Sequence, residues 1–294
     1  MECDSGKWEQ DLKNVAPSAR VASVPLRLSF IHFVNALPLQ WGFMRGIFPD
    51  IFEIGYDTPA SCADHLAAGT ADVGLIPAIE YQRIEGLRII PDLAIASKRQ
   101  VESVLFVSRK SIDEVRTVAL DHSSRTSVAL IQILLKRKFL ISPKYRIMEP
   151  NLEAMLAEND SALIIGNPSL LVPRDRYLVY DLAEQWVELT GKPFVFAFWA
   201  VREGVNMEPY TRYFIESKAH GLSCIREIAE YAGSQLAVSR ALITDYLENK
   251  LNYDLDAENL QGLQMFYRMA AGENLIGSPC ELRFVERAGI EQRT

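Results

Sequence analysis

The chain has 294 residues, of which 49% are hydrophobic and 23% charged, a composition typical of a globular protein with about two domains. Its formal net charge of −7 argues against nucleic acid or an acidic membrane as a partner, so an anionic ligand needs a local binding site. The segment 1–20 is polar and lacks a signal-peptide pattern, and no apolar stretch approaches the ~20 residues that span a bilayer. We therefore expect a cytoplasmic protein without membrane contact, with a flexible tail at residues 1–24.

Strand and helix patterns alternate in the N-terminal third. Apolar runs predict three strands, at Leu26–Val34, Phe52–Tyr56 and Asp72–Ile76. Helices are expected to begin near Pro38 and Pro59, because proline suits a first helical turn. Strand–helix–strand units with short connections indicate a parallel sheet.

A second set of such units follows. Its predicted elements are strands Glu102–Ser108, Val118–Leu120 and Ala162–Ile165 and helices Ser127–Phe139 and Asn151–Glu158. After the apolar strand Phe194–Val201 the chain is mostly helical, near residues 208–220, 222–233, 239–249 and 256–271, with Gly221, Gly233 and Gly272 as the predicted helix ends.

The long apolar strands Val101–Val107 and Phe194–Val201 bracket the second set of units. We therefore predict an α/β fold with two α/β domains joined by two crossing strands. One domain is discontinuous, with residues 25–103 plus 197–294, and residues 104–196 form the inserted domain. A cleft between two such lobes is a ligand site that can close by hinge motion.

An anion site is predicted where strand Val118–Leu120 turns into the next helix. The connecting segment, called the anion loop below, holds Ser123, Ser124, Arg125, Thr126 and Ser127. A helix start has unpaired N–H groups and a partial positive charge, and an arginine can grip a carboxylate at two points. The alternative is an ordinary helix cap with a surface arginine, but four hydroxyl residues exceed what a cap requires, which favours substrate binding by this loop.

Several sequence blocks carry a family resemblance. They are Phe33-Val-Asn-Ala-Leu-Pro-Leu, Asp57-Thr-Pro, Ala71-Asp-Val-Gly-Leu-Ile-Pro-Ala-Ile-Glu-Tyr, Ser103-Val-Leu-Phe-Val-Ser, Ser123-Ser-Arg-Thr-Ser-Val and Thr190-Gly-Lys-Pro-Phe-Val-Phe-Ala-Phe-Trp-Ala. In this order they resemble the chorismate dehydratases of the futalosine route to menaquinone. The resemblance implies a type 2 periplasmic-binding-protein fold. It also implies a cytoplasmic carbon–oxygen lyase that removes water from the dianion chorismate to give 3-(1-carboxyvinyloxy)benzoate.

The resemblance also implies roles for individual residues. Asn35 and Ser103 are expected to be the central catalytic residues, although a turn asparagine and a strand-start serine are the plain structural interpretations. Asn167 stands where family members usually have aspartate. It keeps the shape and loses the charge, which puts in doubt a substrate contact made through that carboxylate.

No general base is evident among the four histidines, and the four cysteines and four histidines lack metal-ligand spacing, so no cofactor or metal is expected. The substrate's own enolpyruvyl carboxylate is the favoured proton acceptor. Glu80 is the rival base and substrate-binding residue, or a salt-bridge partner.

Two other functions stay open. A non-catalytic binding protein for a small carboxylate would suit the bilobed fold, but the absence of an export signal disfavours it. The sister lyase, dihydroxynaphthoate synthase, shares the fold and has a Pro-Asn-Asp type sequence where this chain has Asn35-Ala-Leu-Pro.

Overall fold

A computed structural model describes residues 25–236 and 238–286 of the chain. The predicted tail at residues 1–24 lies outside the described residues, as does the end of the first predicted domain, residues 287–294. The described residues form two five-stranded sheets with helices packed on them. In the described ranges, none of the helices combines the length and the apolar character needed to cross a membrane.

The first sheet contains four early strands and the last strand of the chain. The strands are β1 (Leu26–Ile31), β2 (Phe52–Asp57), β3 (Val73–Pro77), β4 (Arg88–Ser97) and β10 (Phe194–Val201), in the order β2-β1-β3-β10-β4. Strand β1 runs parallel to β2 and β3, while β10 runs antiparallel to β3 and β4. All eight residues of β10 are buried, which explains why this strand reads as one continuous apolar run.

The second sheet repeats this plan. Its strands are β5 (Val104–Ser108), β6 (Thr117–Asp121), β7 (Lys144–Met148), β8 (Ser161–Ile165) and β9 (Leu178–Asp181), in the order β7-β6-β8-β5-β9. Strand β6 is parallel to β7 and β8, and β5 is antiparallel to β8 and β9. Each sheet with its helices forms one lobe.

The helices are α1 (Leu37–Met44), α2 (Pro59–Ala67), α3 (Arg125–Arg137), α4 (Leu152–Glu158), α5 (Leu182–Thr190), α6 (Thr211–Ser223), α7 (Ile225–Leu236), α8 (Arg240–Asp245) and α9 (Ala257–Gly272). A π-helical turn, Tyr246–Lys250, follows α8 directly. The sequence analysis missed β4, β7, β9 and α5.

The chain passes between the lobes directly before the two predicted crossing strands, β5 and β10. Strand β5 lies between β8 and β9 in the second sheet, and β10 lies between β3 and β4 in the first, so each belongs to one lobe. Segments 98–103 and 191–193 connect the lobes. The predicted domain boundary before residue 197 falls inside β10, where Phe194 already pairs with Ser97. An apolar run indicates a buried strand but not which sheet the strand joins.

Gly221 and Gly233 lie inside α6 and α7, not at helix ends as predicted. A Cβ atom on Gly221 would come within 2.1 Å of the Pro38 carbonyl oxygen. The glycine therefore lets α6 approach α1 closely, and a larger residue would force the two helices apart. Gly272 does end α9, as predicted.

Candidate functional site

The two lobes meet through loops that follow the carboxyl ends of their strands. The Val34 N–H, after β1, donates to Asn167 Oδ1 at 2.9 Å, and Asn167 follows β8 in the other lobe. The Ile79 N–H, after β3, donates to Thr126 Oγ1 in the anion loop at 3.2 Å. Open α/β sheets present ligands at this edge. The structure therefore brings loops of both lobes that carry predicted site residues into contact at this edge.

Arg125 is bound to protein carboxylates. Its Nη1 donates to Glu80 Oε2 at 3.0 Å, and its Nη2 donates to both oxygens of Asp64 at 2.9 Å. Glu80 is buried and also accepts from Arg83 Nη1 at 2.7 Å. These bonds tie α3 of the second lobe to the first lobe. The geometry thus gives Arg125 and Glu80 an ion pair between the lobes, and the substrate contact expected for each stays a prediction.

The rest of the anion loop is compact and buried. The Ser123 N–H and hydroxyl both donate to Asp121 Oδ1, at 2.9 and 2.6 Å. Burial raises the pKa of the Asp121 carboxyl, although the Ser123 bonds act against that shift. Ser124 precedes α3 without a side-chain capping bond, and Ser124, Thr126 and Ser127 are all buried. The first N–H groups of α3 have no partner inside the helix, so a helix-start anion site remains available beside Ser124 and Ser127.

Asn35 and Ser103 meet around a residue that the sequence analysis missed. The Tyr246 hydroxyl donates to Ser103 Oγ at 2.6 Å, and both groups are buried. The Asn35 side chain lies close enough to the Tyr246 phenol to lower the pKa of that phenol. Burial raises the pKa of Tyr246 far above its usual range, against the effect of the Ser103 bond and of the nearby Asn35 side chain, so the phenol stays protonated.

Asn35 Oδ1 is buried and has no hydrogen-bond partner among residues 25–236 and 238–286. Since buried polar atoms are rarely left without a partner, this oxygen is a candidate acceptor for a ligand. Asn35 lies in the 3₁₀ turn Val34–Ala36, directly between β1 and α1. The residue is therefore placed where the first strand presents its carboxyl end to the cleft.

Ser103 is held by the segment before it. Asp181, at the end of β9, accepts from the Val101 N–H at 3.0 Å and from the Glu102 N–H at 2.6 Å. Glu102 has a φ of 61°, a left-handed conformation that is costly for a residue with a side chain. Lys250 pairs with the Glu102 carboxylate at 3.0 Å. The predicted strand start at Glu102 is therefore wrong, because this residue turns the chain and Ser103 follows the turn.

A cavity of about 350 Å³ is lined by Val34, Asn167 and residues of α7, but not by Asn35 or Ser103. Gln40 also lines it, fully buried, and neither amide atom of Gln40 has a hydrogen-bond partner in the described part of the chain. No group of three or more His, Cys, Asp and Glu side chains in that part could hold a metal ion.

Two α/β lobes around a cleft define a periplasmic-binding-protein-like fold. The solved structures that share it include AF1704 from Archaeoglobus fulgidus, with a TM-score of 0.74 and 17% identity, covering 86% of this chain and 99% of that one. The alkanesulfonate-binding protein SsuA from Xanthomonas axonopodis pv. citri has a TM-score of 0.65 and 14% identity, covering 87% of this chain and 96% of that one. Identities this low show the fold alone.

Comparison of sequences identifies the family as well as the fold. The chain belongs to the menaquinone biosynthesis family, which it matches over residues 26–272. It is 30% identical over 261 residues to the chorismate dehydratase of Thermus thermophilus, covering 82% of this chain and 94% of that protein. It is 24% identical over 255 residues to the chorismate dehydratase of Campylobacter jejuni, covering 83% of this chain and 97% of that protein.

Proposed function

We propose that this chain is a chorismate dehydratase, a carbon–oxygen lyase that converts chorismate into 3-(1-carboxyvinyloxy)benzoate and water. The observation that carries the proposal is the meeting of Asn35 and Ser103 around Tyr246, at the cleft edge of β1. Membership of the menaquinone biosynthesis family supports the same activity. The cavity of about 350 Å³ lined by Val34 and Asn167, at the contact between the lobes, is within the size range of small-molecule sites.

The reaction needs few protein groups. Chorismate loses the hydrogen on the ring carbon that bears the ether oxygen. It also loses the hydroxyl on the neighbouring ring carbon, and the ring becomes aromatic. The enolpyruvyl carboxylate of the substrate takes the ring proton, and the bond from the ring to the hydroxyl oxygen breaks as the ring double bond forms. The same proton then completes the released hydroxide as water. Because aromatisation drives the elimination, the protein has to align the substrate and stabilise the departing oxygen.

Asn35 and Ser103 supply those two functions. The unpartnered Asn35 Oδ1 accepts from the substrate hydroxyl and sets its orientation. The Ser103 oxygen already accepts a hydrogen bond from Tyr246, so its own hydrogen is free to donate to the departing oxygen. Glu80 is held by two arginines and is a poor candidate for the base, which favours the substrate carboxylate.

The anion loop holds the second carboxylate of the dianion. The candidate donors are the Ser124 and Ser127 hydroxyls and the first N–H groups of α3. Thr126 and Asn167 act differently, since their side-chain oxygens accept from backbone N–H groups of the other lobe. They hold the lobes together over the bound substrate.

The proposal is tested by incubating the purified chain with chorismate in the presence of a metal chelator. The expected result is a new aromatic product, seen by ultraviolet absorbance and by a mass lower by one water than that of chorismate. Chorismate that binds but stays unchanged would favour the binding-protein alternative. Turnover of a cyclic futalosine derivative, with chorismate untouched, would favour the sister lyase.

A further inference from the structure

We infer that Tyr246 is a positioning residue of this site, whose hydroxyl donates to Ser103 Oγ and so orients the serine beside Asn35. The inference rests on the proposed function and adds a residue that the sequence resemblance did not supply. Tyr246 is 143 positions away from Ser103 along the chain, yet its oxygen lies 2.6 Å from Ser103 Oγ. The Tyr246 hydroxyl hydrogen is already engaged by Ser103 Oγ, so the phenol acts through the serine.

The direction of the Tyr246 hydrogen bond decides what the serine can do. A protonated phenol has one hydrogen, and Tyr246 directs it at Ser103 Oγ, so the Ser103 hydrogen points elsewhere. The nearby Asn35 Oδ1 is buried and has no partner in the described part of the chain.

Asn35 and Ser103 each carry one hydrogen-bonding group that is not used among the described residues. Asn35 offers an acceptor oxygen, and Ser103 offers a donor hydrogen. A leaving hydroxyl has one hydrogen to give and lone pairs to be stabilised, so it matches this pair of groups. Hydrogen bonds in a chain polarise one another, and Tyr246 thereby strengthens Ser103 as a donor as well as orienting it.

The segment that carries Tyr246 also holds the residue before Ser103. Tyr246 begins the π-helical turn, and Lys250 ends it and pairs with Glu102 at 3.0 Å. A π turn is uncommon and is often found at functional sites. Two bonds from one turn thus fix two consecutive residues, Glu102 and Ser103, at the connection between the lobes. The arrangement places the serine hydroxyl more tightly than core packing alone requires.

Two other buried tyrosines serve as matched controls. The Tyr253 hydroxyl is buried and has no hydrogen-bond partner among the described residues. The Tyr267 hydroxyl donates to the Ala78 carbonyl oxygen at 2.6 Å, the same distance as the Tyr246 bond. Tyr253→Phe tests the removal of a buried hydroxyl, and Tyr267→Phe tests the loss of a buried hydrogen bond outside the proposed site.

The experiment measures chorismate turnover, thermal unfolding and the kcat and KM of the wild type, Tyr246→Phe and both controls. We expect Tyr246→Phe to lose roughly 10- to 100-fold in kcat, because a misplaced catalytic group costs about that much, with KM within about threefold. Both controls should keep the wild-type kcat within about threefold. A double-mutant cycle with Ser103→Ala should show that Tyr246→Phe costs little further once Ser103 has lost its hydroxyl.

Each outcome separates the possibilities. An inactive wild type overturns the proposed function and this inference together. An active wild type with an equally active Tyr246→Phe overturns the inference alone. Loss of the cooperative unfolding transition in Tyr246→Phe, or equal losses in Tyr267→Phe, would assign the hydroxyl to stability and also overturn the inference. An additive cycle with Ser103→Ala would show that Tyr246 does not act through the serine.

Discussion

Asn35 offers the sharpest test at the scale of single residues, because its buried Oδ1 has no partner in the described part of the chain. We expect Asn35→Ala to lower kcat about 100-fold, since it removes a preorganised polar contact to the leaving hydroxyl. Thermal stability should change little, because the side chain is half-buried and its Oδ1 makes no bond to the described residues. Steady-state kinetics with a melting curve measures both effects.

Glu80→Gln is the matched comparison for that prediction. It keeps the size of the side chain but removes the charge that pairs with Arg83 and Arg125. Some stability should be lost, while kcat should stay within about threefold because the substrate supplies the base. Abolished turnover in a folded Glu80→Gln variant, with activity retained in Asn35→Ala, would make Glu80 the base.

Ser124→Ala tests the anion loop. The Ser124 hydroxyl does not cap α3, so its removal should leave the helix intact. A carboxylate is charged in both the bound substrate and the transition state, so a donor to it contributes uniform binding. We expect KM to rise about tenfold with kcat nearly unchanged. If kcat fell and KM stayed constant, the loop would be acting on the transition state.

At the scale of secondary-structure elements, Asp72 joins three strands of the first sheet. It precedes β3 and accepts from Arg27 of β1 at 2.7 Å and from Arg202, just after β10, at 2.8 Å. Burial by itself would raise the pKa of Asp72, but the bonds from Arg27 and Arg202 outweigh burial and lower it to about 2. The carboxylate therefore stabilises the fold in its charged form.

The sign of the pH dependence follows from that lowered pKa. Because the folded pKa is below the ordinary value, the stabilisation is present above about pH 4 and is lost as the pH falls toward 2. We expect Asp72→Asn to reduce the free energy of unfolding by about 1–2 kcal/mol at pH 7, after allowance for solvent screening. Urea unfolding from pH 7 to pH 2 should show this difference shrinking toward zero in acid.

Asp254→Asn is a suitable control for the Asp72 experiment. Asp254 also pairs with a cation, Lys218, at 2.8 Å, but its side chain is 59% exposed. Exposed ion pairs contribute little, so the variant should change stability by less than about 0.5 kcal/mol at pH 7. A pH-independent loss in Asp72→Asn would show that the arginine bonds, not the charge state, account for its effect.

At the scale of the whole molecule, bonds between the lobes hold the cleft closed. Asn167 contributes one of them by accepting from the Val34 N–H. We expect Asn167→Ala to raise KM for chorismate several-fold, because the closed form loses an acceptor that the open form does not use. Asn167→Asp should keep KM nearer the wild-type value, since a carboxylate oxygen accepts the same bond.

Small-angle scattering with and without chorismate checks the structural side of this prediction. Asn167→Ala should have a larger ligand-free radius of gyration than the wild type, and Asn167→Asp should not. An Asn167→Asp variant as impaired as Asn167→Ala would show that the neutral amide is required. The aspartate usual in the family would then be unsuited to this chain.

Much of the local structure could be predicted from the sequence. Strand β6, helix α3 and the C-terminal helices were found close to their observed bounds, because apolar periodicity reports which face of an element is buried. The missed strands have a different pattern. Four of the five residues of β7 are exposed, and β4 contains Pro91 and Asp92, of which Asp92 has a φ of 64°. Such residues are typical of loops, and only sheet pairing places them in strands.

The residues of the candidate site could also be predicted only in part from the sequence. Sequence blocks placed Asn35 and Ser103 in the site because each block is local and contiguous, but Tyr246 lies in a helical stretch where a buried tyrosine reads as core. Arg125 was expected to bind substrate, yet its partners Asp64 and Glu80 stand 61 and 45 positions away. The sequence by itself determined most of the elements and the family, and it predicted Asn35 and Ser103 as site residues. Only the tertiary structure decided which charges pair and which hydroxyl meets Ser103, because packing of the whole chain chooses partners that are far apart in sequence.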